Sequence, residues 1–333
     1  MNQKFYEKLA EILPEERIRT DEPMKMHTTF RVGGPADYFL MPESPEEVQE
    51  LVRLCKKEEV PFYVIGNGSN LLVSDQGYRG VILQIYRNMS QIRVEGNVLR
   101  AQAGALLSAI AARAYENSLT GFEFAAGIPG TIGGASVMNA GAYGGEMKDV
   151  LRKVTVLSGD GEIFDISKEE MELGYRTSII SKKGYITLEA EIELTPGKQE
   201  EIKAMMDDLR TRRTTKQPLE YPSAGSTFKR PEGYFAGKLI QDSGLAGYQV
   251  GGAQVSEKHA GFVVNTGNAS SHDVHQLMRQ VRKKVYENSG IALEPEMIIL
   301  PPDYRLEDKG PAVPLHFVSS PGSREDGQEQ SGS

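Results

Sequence analysis

The 333-residue chain has one cysteine, no tryptophan and five histidines. A lone cysteine, Cys55, excludes an intramolecular disulfide and a cysteine-based metal site. No apolar run approaches the roughly 20 residues that cross a bilayer, so no membrane insertion is expected. The opening segment, MNQKFYEKLAEILPEERIRT, lacks the apolar core of a signal peptide, and a cytoplasmic location is expected. Excess positive charge is missing too. The net charge of -8 gives no electrostatic case for nucleic acid as the main partner. A local basic pocket for an anionic substrate stays open. What is present is an ordinary globular balance, 39% hydrophobic and 25% charged, at a length that suits two or three domains.

Residues 44–59 read as a helix. Ser44 serves as N-cap, Pro45 suits the first turn, and Glu47 completes a capping box. Val48, Leu51, Val52 and Cys55 share one apolar face, which makes Cys55 a core residue, not a reactive thiol. Residues 60–75 read as a buried strand, a glycine turn and a second apolar run. Helical spacing returns over 105–116, with Leu106, Ile110 and Ala114 aligned. Residues 154–166 read as a hairpin, and 185–194 alternate strictly, as a half-buried strand does. A boundary falls near 196–201. The helix after it places Ile202, Met205, Met206 and Leu209 on its core side and ends in cations, RTRRTTK, suited to a helix C-terminus. A last helix over about 271–288 carries Val274, Leu277, Met278, Val281 and Val285, with Gly290 as stop. His272 and His275 in its first turns lack a third ligand partner; no metal site is expected, and a solvated face is the reading for both. From Leu306 the chain turns polar and Gly/Ser/Glu-rich, the composition of a disordered tail. Strands alternating with helices and hairpins argue for an α+β protein of several lobes.

Two stretches hold too much glycine for packing alone. GNGSN (Gly66, Asn67, Gly68, Ser69, Asn70) follows a strand and gathers backbone N–H groups in a tight turn. Such a nest binds phosphate oxygens, although an ordinary strand turn has the same composition. Leu71 stands where a dinucleotide fingerprint needs its third glycine. The second stretch, 127–146, has seven glycines within 19 residues, interleaved with Ile128, Ile132, Val137, Met138 and Tyr143. Apolar residues among glycines mark an ordered loop with close backbone approach, not a linker. Together the two suggest one large ligand with a pyrophosphate, such as FAD.

Three polar positions stand out. Arg176, in ELGYRTS, suits pairing with a carboxylate or a developing oxyanion; a surface arginine is the plain alternative. Ser226, in YPSAGSTFKRP, has no GxSxG around it, which argues against a hydrolase nucleophile. It is either a turn serine or a proton donor to a strongly basic acceptor. Glu296, in ALEPEMIILP, heads an apolar strand, where partial desolvation raises a carboxyl pKa; an exposed strand end is the alternative, and Glu294 competes for the role.

These segments resemble the UDP-N-acetylenolpyruvoylglucosamine reductase (MurB) family. The matching pieces are HTTFRVGGPADYF (27–39), VIGNGSNLLVSD (64–75), GFEFAAGIPGTIGGASVMNAGAYGGE (121–146), GYRTS (174–178), RRTTKQP (212–218), PSAGSTFKRP (222–231) and LEPEMIIL (293–300). They occur in family order and cover about residues 20–300. The resemblance implies a three-lobe α+β flavoprotein with a vanillyl-alcohol-oxidase (PCMH) type FAD-binding region and a C-terminal substrate-binding lobe. It implies lobes over 1–85, rejoined by 296–305, over 86–197 and over 198–295, with a tail at 306–333. It implies that NADPH reduces noncovalent FAD, which then reduces UDP-N-acetylglucosamine enolpyruvate to UDP-N-acetylmuramate for peptidoglycan synthesis. Ser226 matches the serine that protonates the carbon beside the substrate carboxylate, and Arg176 and Glu296 match the residues that stabilise the enol-type intermediate. FAD contacts are implied for Gly66, Asn67, Gly68, Ser69, Asn70, Gly127, Gly130, Thr131, Gly133, Gly134 and Ala140. Substrate contacts are implied for Tyr175, Lys216, Lys229 and His259. Arg230 departs from the frequent Asn of FKNP. The spacing between Arg176 and Lys216 resembles the branch without an extra tyrosine-bearing loop. A monomer or weak dimer is expected. Two other readings remain: a flavin oxidase of the same fold, and a nucleotide-binding scaffold without activity.

Overall fold

The computed structural model describes residues 2–301, so the polar tail read from Leu306 lies outside the described residues. The first lobe is built on four strands in the spatial order Ile18–Pro23, Pro35–Leu40, Tyr78–Gln84 and Phe62–Ile65. The first pair is antiparallel and the other two are parallel. Parallel neighbours need a crossover, and the helix Pro45–Lys57 supplies it. Its buried Val48, Leu51, Val52 and Cys55 pack with Val81 and Leu83 of the sheet. Burial pushes the Cys55 thiol up to about 12, which leaves it inert. Ser44 caps this helix by accepting the Glu47 N–H at 3.2 Å. The expected capping box does not close, because the Glu47 carboxylate accepts from the Glu43 N–H and holds Arg17 at 2.6 Å.

The second lobe is a five-stranded antiparallel sheet in the order Ile163–Ser167, Leu151–Leu157, Ile186–Glu193, Val98–Gln102 and Ile92–Glu95. The 151–167 hairpin matches its sequence signal. The central strand Ile186–Glu193 does not match: both its faces are buried, Thr187 and Glu191 included. Glu191 is tolerated there because Arg100 and Arg152 hold its two oxygens at 3.2 and 3.3 Å. Ile186 and Leu188 reach into the first lobe's core, so these two lobes share apolar packing. The helix Gln199–Lys216 also differs from expectation. Only Ile202 is buried and Met205 is 52% exposed, since the charged turns that follow leave no continuous apolar stripe.

The third lobe is an antiparallel sheet in the order Ser223–Ser226, Phe262–Asn265, Ala253–Val255 and Gln249–Val250. The helix Ser271–Ser289 buries Val274, Leu277, Met278, Val281 and Val285 and ends at Gly290, at φ 70°. His275 is buried on that helix as well, contrary to a solvated face: it falls one residue after Val274, inside the apolar stripe. The chain then returns to the first lobe, where Ile298–Leu300 pairs in parallel with Leu71–Val73. That return carries Glu296 into the space between the lobes.

Candidate active site

The GNGSN turn leaves the strand Phe62–Ile65 and crosses the head of the second glycine segment. Gly68 sits at φ 61°, and a Cβ on it would lie 2.0 Å from the His27 carbonyl oxygen. A Cβ on Gly66 would lie 2.3 Å from Thr131 Oγ1. Asn67 Nδ2 donates to the Pro129 carbonyl at 2.7 Å, so the two segments form one wall. Among the described residues, the N–H groups of Asn67, Gly68, Ser69 and Asn70 donate to no other protein group. Free N–H groups converging on a turn are an anion cradle. Beside it lies a slot of about 190 Å³ lined by Ile65, Gly66, Thr131, Gly133, Gly134, Val137 and Tyr185. A second cavity of about 740 Å³ opens past Asn67 and Pro129 toward Arg213 and Gly225. A phosphate cradle between a narrow, largely apolar slot and a wide cavity fits a dinucleotide with a planar head, and so fits FAD.

The predicted contacts are distributed unevenly over this wall. Gly66, Thr131, Gly133 and Gly134 line the slot, and Asn67 lines the wide cavity. Gly130 lies against Ser69, and Gly127 lies under the Arg213 side chain. Asn70 is tied by its side chain to the Glu296 carbonyl at 3.2 Å. Ala140 differs: its side chain is buried in the second lobe's core, because its backbone closes the loop onto Ala135 and Met147.

Ser226, Arg176 and Glu296 line one further cavity of about 590 Å³. They arrive from three separate parts of the chain. Ser226 ends a strand in which Ser223 pairs with Val264 and Ser226 with Phe262, one residue more than the partner strand has. This is a β-bulge, with Gly225 at φ 78°, and bulges re-aim the side chain that follows. Glu296 lies beside it, because its N–H donates to the Thr227 carbonyl at 2.9 Å. Arg176 occupies the tight turn Gly174–Thr177, closed by backbone hydrogen bonds in both directions. Its φ of 55° is a conformation that favours glycine. Arg176 Nε donates to Glu296 Oε1 at 2.7 Å, and the carboxylate side chain is only 9% exposed. Burial pushes the Glu296 carboxyl above its ordinary value, and Arg176, Lys229 and Arg230 offset that only in part.

Among the residues expected to meet substrate, Tyr175 and His259 line this cavity. Tyr175 Oη accepts the Arg230 N–H at 3.0 Å, across two lobes. His259 Nδ1 accepts the Gly261 N–H at 3.1 Å, and burial holds its pKa below the ordinary value, so the ring is neutral with its proton on Nε2. Lys229 pairs with Glu294 at 3.4 Å and acts on Glu296 through its charge. Lys216 does not join them: it is exposed at the end of its helix. The basic residues Arg230, Lys238 and Lys258 line the cavity instead. The sequence reading passed over Asn139 and Arg213. Asn139 was one polar residue within a glycine segment, and Arg213 counted only as a helix-end cation. Three residues apart, Arg213 and Lys216 fall near one side of the helix, so spacing alone gave no signal to separate them.

The sequence model of the UDP-N-acetylenolpyruvoylglucosamine reductase C-terminal domain matches residues 217–300, and that of an FAD binding domain matches residues 36–167. A UDP-N-acetylenolpyruvoylglucosamine reductase of Clostridioides difficile (strain 630) is 53% identical over 302 residues, covering 91% of this chain and 99% of its own. The chain belongs to the UDP-N-acetylenolpyruvoylglucosamine reductase family. A second reductase, from Agathobacter rectalis, is 54% identical over 309 residues, covering 89% of this chain and 98% of its own. The crystal structure of the UDP-N-acetylenolpyruvylglucosamine reductase (MurB) of Thermus caldophilus superposes with a TM-score of 0.73 at 36% identity, over 84% of this chain and 97% of that one. As a member of this reductase family the chain is an FAD-dependent oxidoreductase with the three-lobe α+β fold. No helix among the described residues is long and apolar enough to cross a membrane.

Proposed function

We propose that the chain reduces the enolpyruvyl ether of UDP-N-acetylglucosamine enolpyruvate to UDP-N-acetylmuramate, with Ser226, Arg176 and Glu296 carrying the second half of the reaction. The observation that supports this assignment is the 2.7 Å contact of Arg176 with a buried Glu296, in a cavity that Ser226 also lines. FAD, held by the Gly66–Asn70 turn and the Gly130–Gly134 segment, would supply the hydride chemistry that links NADPH to the enolpyruvyl carbon. The protein's own groups then handle charge and proton. Hydride addition drives electron density toward the substrate carboxylate. Arg176 faces that charge as a fixed cation. Glu296, with its pKa raised by burial, holds a proton more readily than an ordinary carboxyl and can donate a hydrogen bond to the same oxygens. The Ser226 hydroxyl gives its proton to the carbon next to the carboxylate. A serine is a feasible acid here because the acceptor has carbanion character.

Gly66, Asn67, Gly68 and the Gly130–Gly134 segment hold the cofactor's phosphates and planar parts. Tyr175, His259, Arg230, Lys238 and Lys258 meet the anionic UDP-sugar. The family matches at 36–167 and 217–300, with the return of Ile298–Leu300 to the first lobe, support lobes over 1–85 with 296–301, 86–197 and 198–295, while residues 302–305 of the expected return lie outside the described residues. Between Arg176 and Lys216 the chain passes through Ile179–Lys183, Ile186–Glu193 and Gln199–Lys216 with short connections, which supports the branch without an inserted tyrosine loop. The use of a UDP-sugar and NADPH supports a cytoplasmic location, and we take the chain to act as a monomer or weak dimer.

Rapid mixing of the two half-reactions tests the assignment. Ser226→Ala leaves FAD reduction by NADPH fast and slows reoxidation by the UDP-sugar by about 10² to 10⁴. Equal slowing of both halves, or of neither, rejects the role of Ser226.

A further inference from the structure

We propose that Asn139 is a positioning residue for Arg176, and that it couples the charge-handling turn to the glycine-rich loop. The inference rests on the role given to Arg176 above. Asn139 is 1% exposed, lines the cavity that holds Ser226 and Glu296, and sits at φ 45°. Its side-chain amide makes three hydrogen bonds, with both donors used. Nδ2 donates to Glu146 Oε2 at 2.6 Å and to the Gly174 carbonyl at 3.1 Å. Oδ1 accepts the Lys148 N–H at 2.8 Å.

The Gly174 carbonyl is the base of the turn that presents Arg176, since it also accepts the Thr177 N–H at 3.3 Å. A turn with arginine at φ 55° persists only when its surroundings hold it. Beside the Tyr175–Arg230 contact described above, three anchors do so. One is Asn139 on Gly174. The second is Ser178 Oγ, which donates to the Val137 carbonyl at 2.6 Å. The third is Glu296 on Arg176 itself. Two of the three therefore come from residues 137–139, the far end of the segment whose head faces the cofactor slot. Glu146 backs Asn139 from the other side and is held in turn by Lys148 and by its N–H on Asp149. Loss of the Asn139 donors frees the Gly174 carbonyl and lets Arg176 leave the line to its target.

Asn139→Gly keeps the left-handed backbone and removes the side chain. Asn139→Asp keeps size and the acceptor for Lys148, loses both donors, and sets a second carboxylate against Glu146. The expected result for both is FAD content and reduction by NADPH within about twofold of the parent protein, with reoxidation by the UDP-sugar slowed about 10- to 100-fold. If Asn139→Gly fails to fold, Asn139→Asp decides alone. The double variant with Arg176→Ala separates positioning from general support. If Asn139 acts through Arg176, removing it in that background costs nothing further. A full additional loss in the double variant, equal slowing of both half-reactions, or no slowing overturns the proposal. If Arg176→Ala alone leaves reoxidation unchanged, the role of Arg176 fails and the proposal with it.

Discussion

On the proposed cofactor side of the site, backbone makes the surface: N–H groups from Asn67 to Asn70 that are free among the described residues, and glycines pressed against His27 and Thr131. On the proposed catalytic side, side chains make it, and they come from positions 176, 226 and 296, far apart in the sequence. A surface of backbone tolerates little change of residue but needs no side chain held in one rotamer. A surface of side chains depends on what aims each one: a bulge for Ser226, a strained turn for Arg176, a returning strand for Glu296. Damage to the first should appear as lost cofactor and lost stability. Damage to the second should appear as lost rate in one half-reaction with cofactor and fold intact.

After Ser226→Ala, the largest effect that sharpens this contrast belongs to Glu296→Gln. It keeps the shape and removes the titrating group. Reoxidation by the UDP-sugar should slow by about 10²-fold, roughly 2.7 kcal/mol, while flavin content holds. Because burial raises the Glu296 pKa, the protonated form persists above the ordinary carboxyl range and is lost as pH rises through the raised value. The parent enzyme's reoxidation rate should therefore fall on that limb, and the Gln variant's profile should lack it. A parallel limb in both would remove Glu296 from the reaction.

Gly68→Ala attacks the other side. The new Cβ would meet the His27 carbonyl oxygen at 2.0 Å while the backbone stays at φ 61°. Clash and strain together cost about 3 kcal/mol or more. Loss of bound flavin on gel filtration, with a lower Tm, is the expected outcome. A variant that retains flavin and slows only reoxidation would break the division between the two sides.

An effect that is felt only in acid lies at the joint of the first and third lobes. Burial pushes His275 down to about 4, against a small upward pull from Asp75. An unfolded imidazole titrates near 6.5. Between those values the unfolded chain binds a proton that the folded one refuses. Stability is therefore complete above about 6.5 and falls as pH drops toward 4, by up to about 3 kcal/mol. Urea midpoints measured from pH 7 to 4.5 should show this fall, and His275→Leu should flatten it. An unchanged slope in the variant would assign the acid sensitivity to other groups.

How much of this was legible follows the same division. Glycine names the places where a backbone must approach or turn, so 127–146 read as an ordered loop and GNGSN as a tight turn whose N–H groups suit a phosphate. The helices Pro45–Lys57 and Ser271–Ser289 read well because their caps and apolar spacing are local. The strand Ile186–Glu193 read as half-buried because alternation cannot report the Arg100 and Arg152 pairing that lets Glu191 go inside. Arg176, Ser226 and Glu296 carry no local mark of their role. Their meeting depends on a third lobe and a return strand, which only the ordered set of family motifs announced. His275 and Met205 went wrong for opposite reasons: His275 falls inside an apolar stripe, whereas the charged turns around Met205 leave no continuous stripe to cover.

The finest test of the contrast sets Gly225 against Gly68. Gly225 is also at positive φ, 78°, but a Cβ built on it meets nothing within 4 Å. Its glycine is needed for backbone conformation alone, at a bulge whose next residue is Ser226. Gly225→Ala should therefore cost only about 1 kcal/mol of stability and leave flavin bound. If the bulge aims Ser226, the same change should slow reoxidation by the UDP-sugar several-fold without slowing reduction by NADPH. A rate that follows the small stability loss in both half-reactions would mean that Ser226 finds its place without the bulge. A selective loss would show that Gly225, though it lines the wide cavity, serves a neighbour's side chain, whereas Gly68 serves the backbone itself.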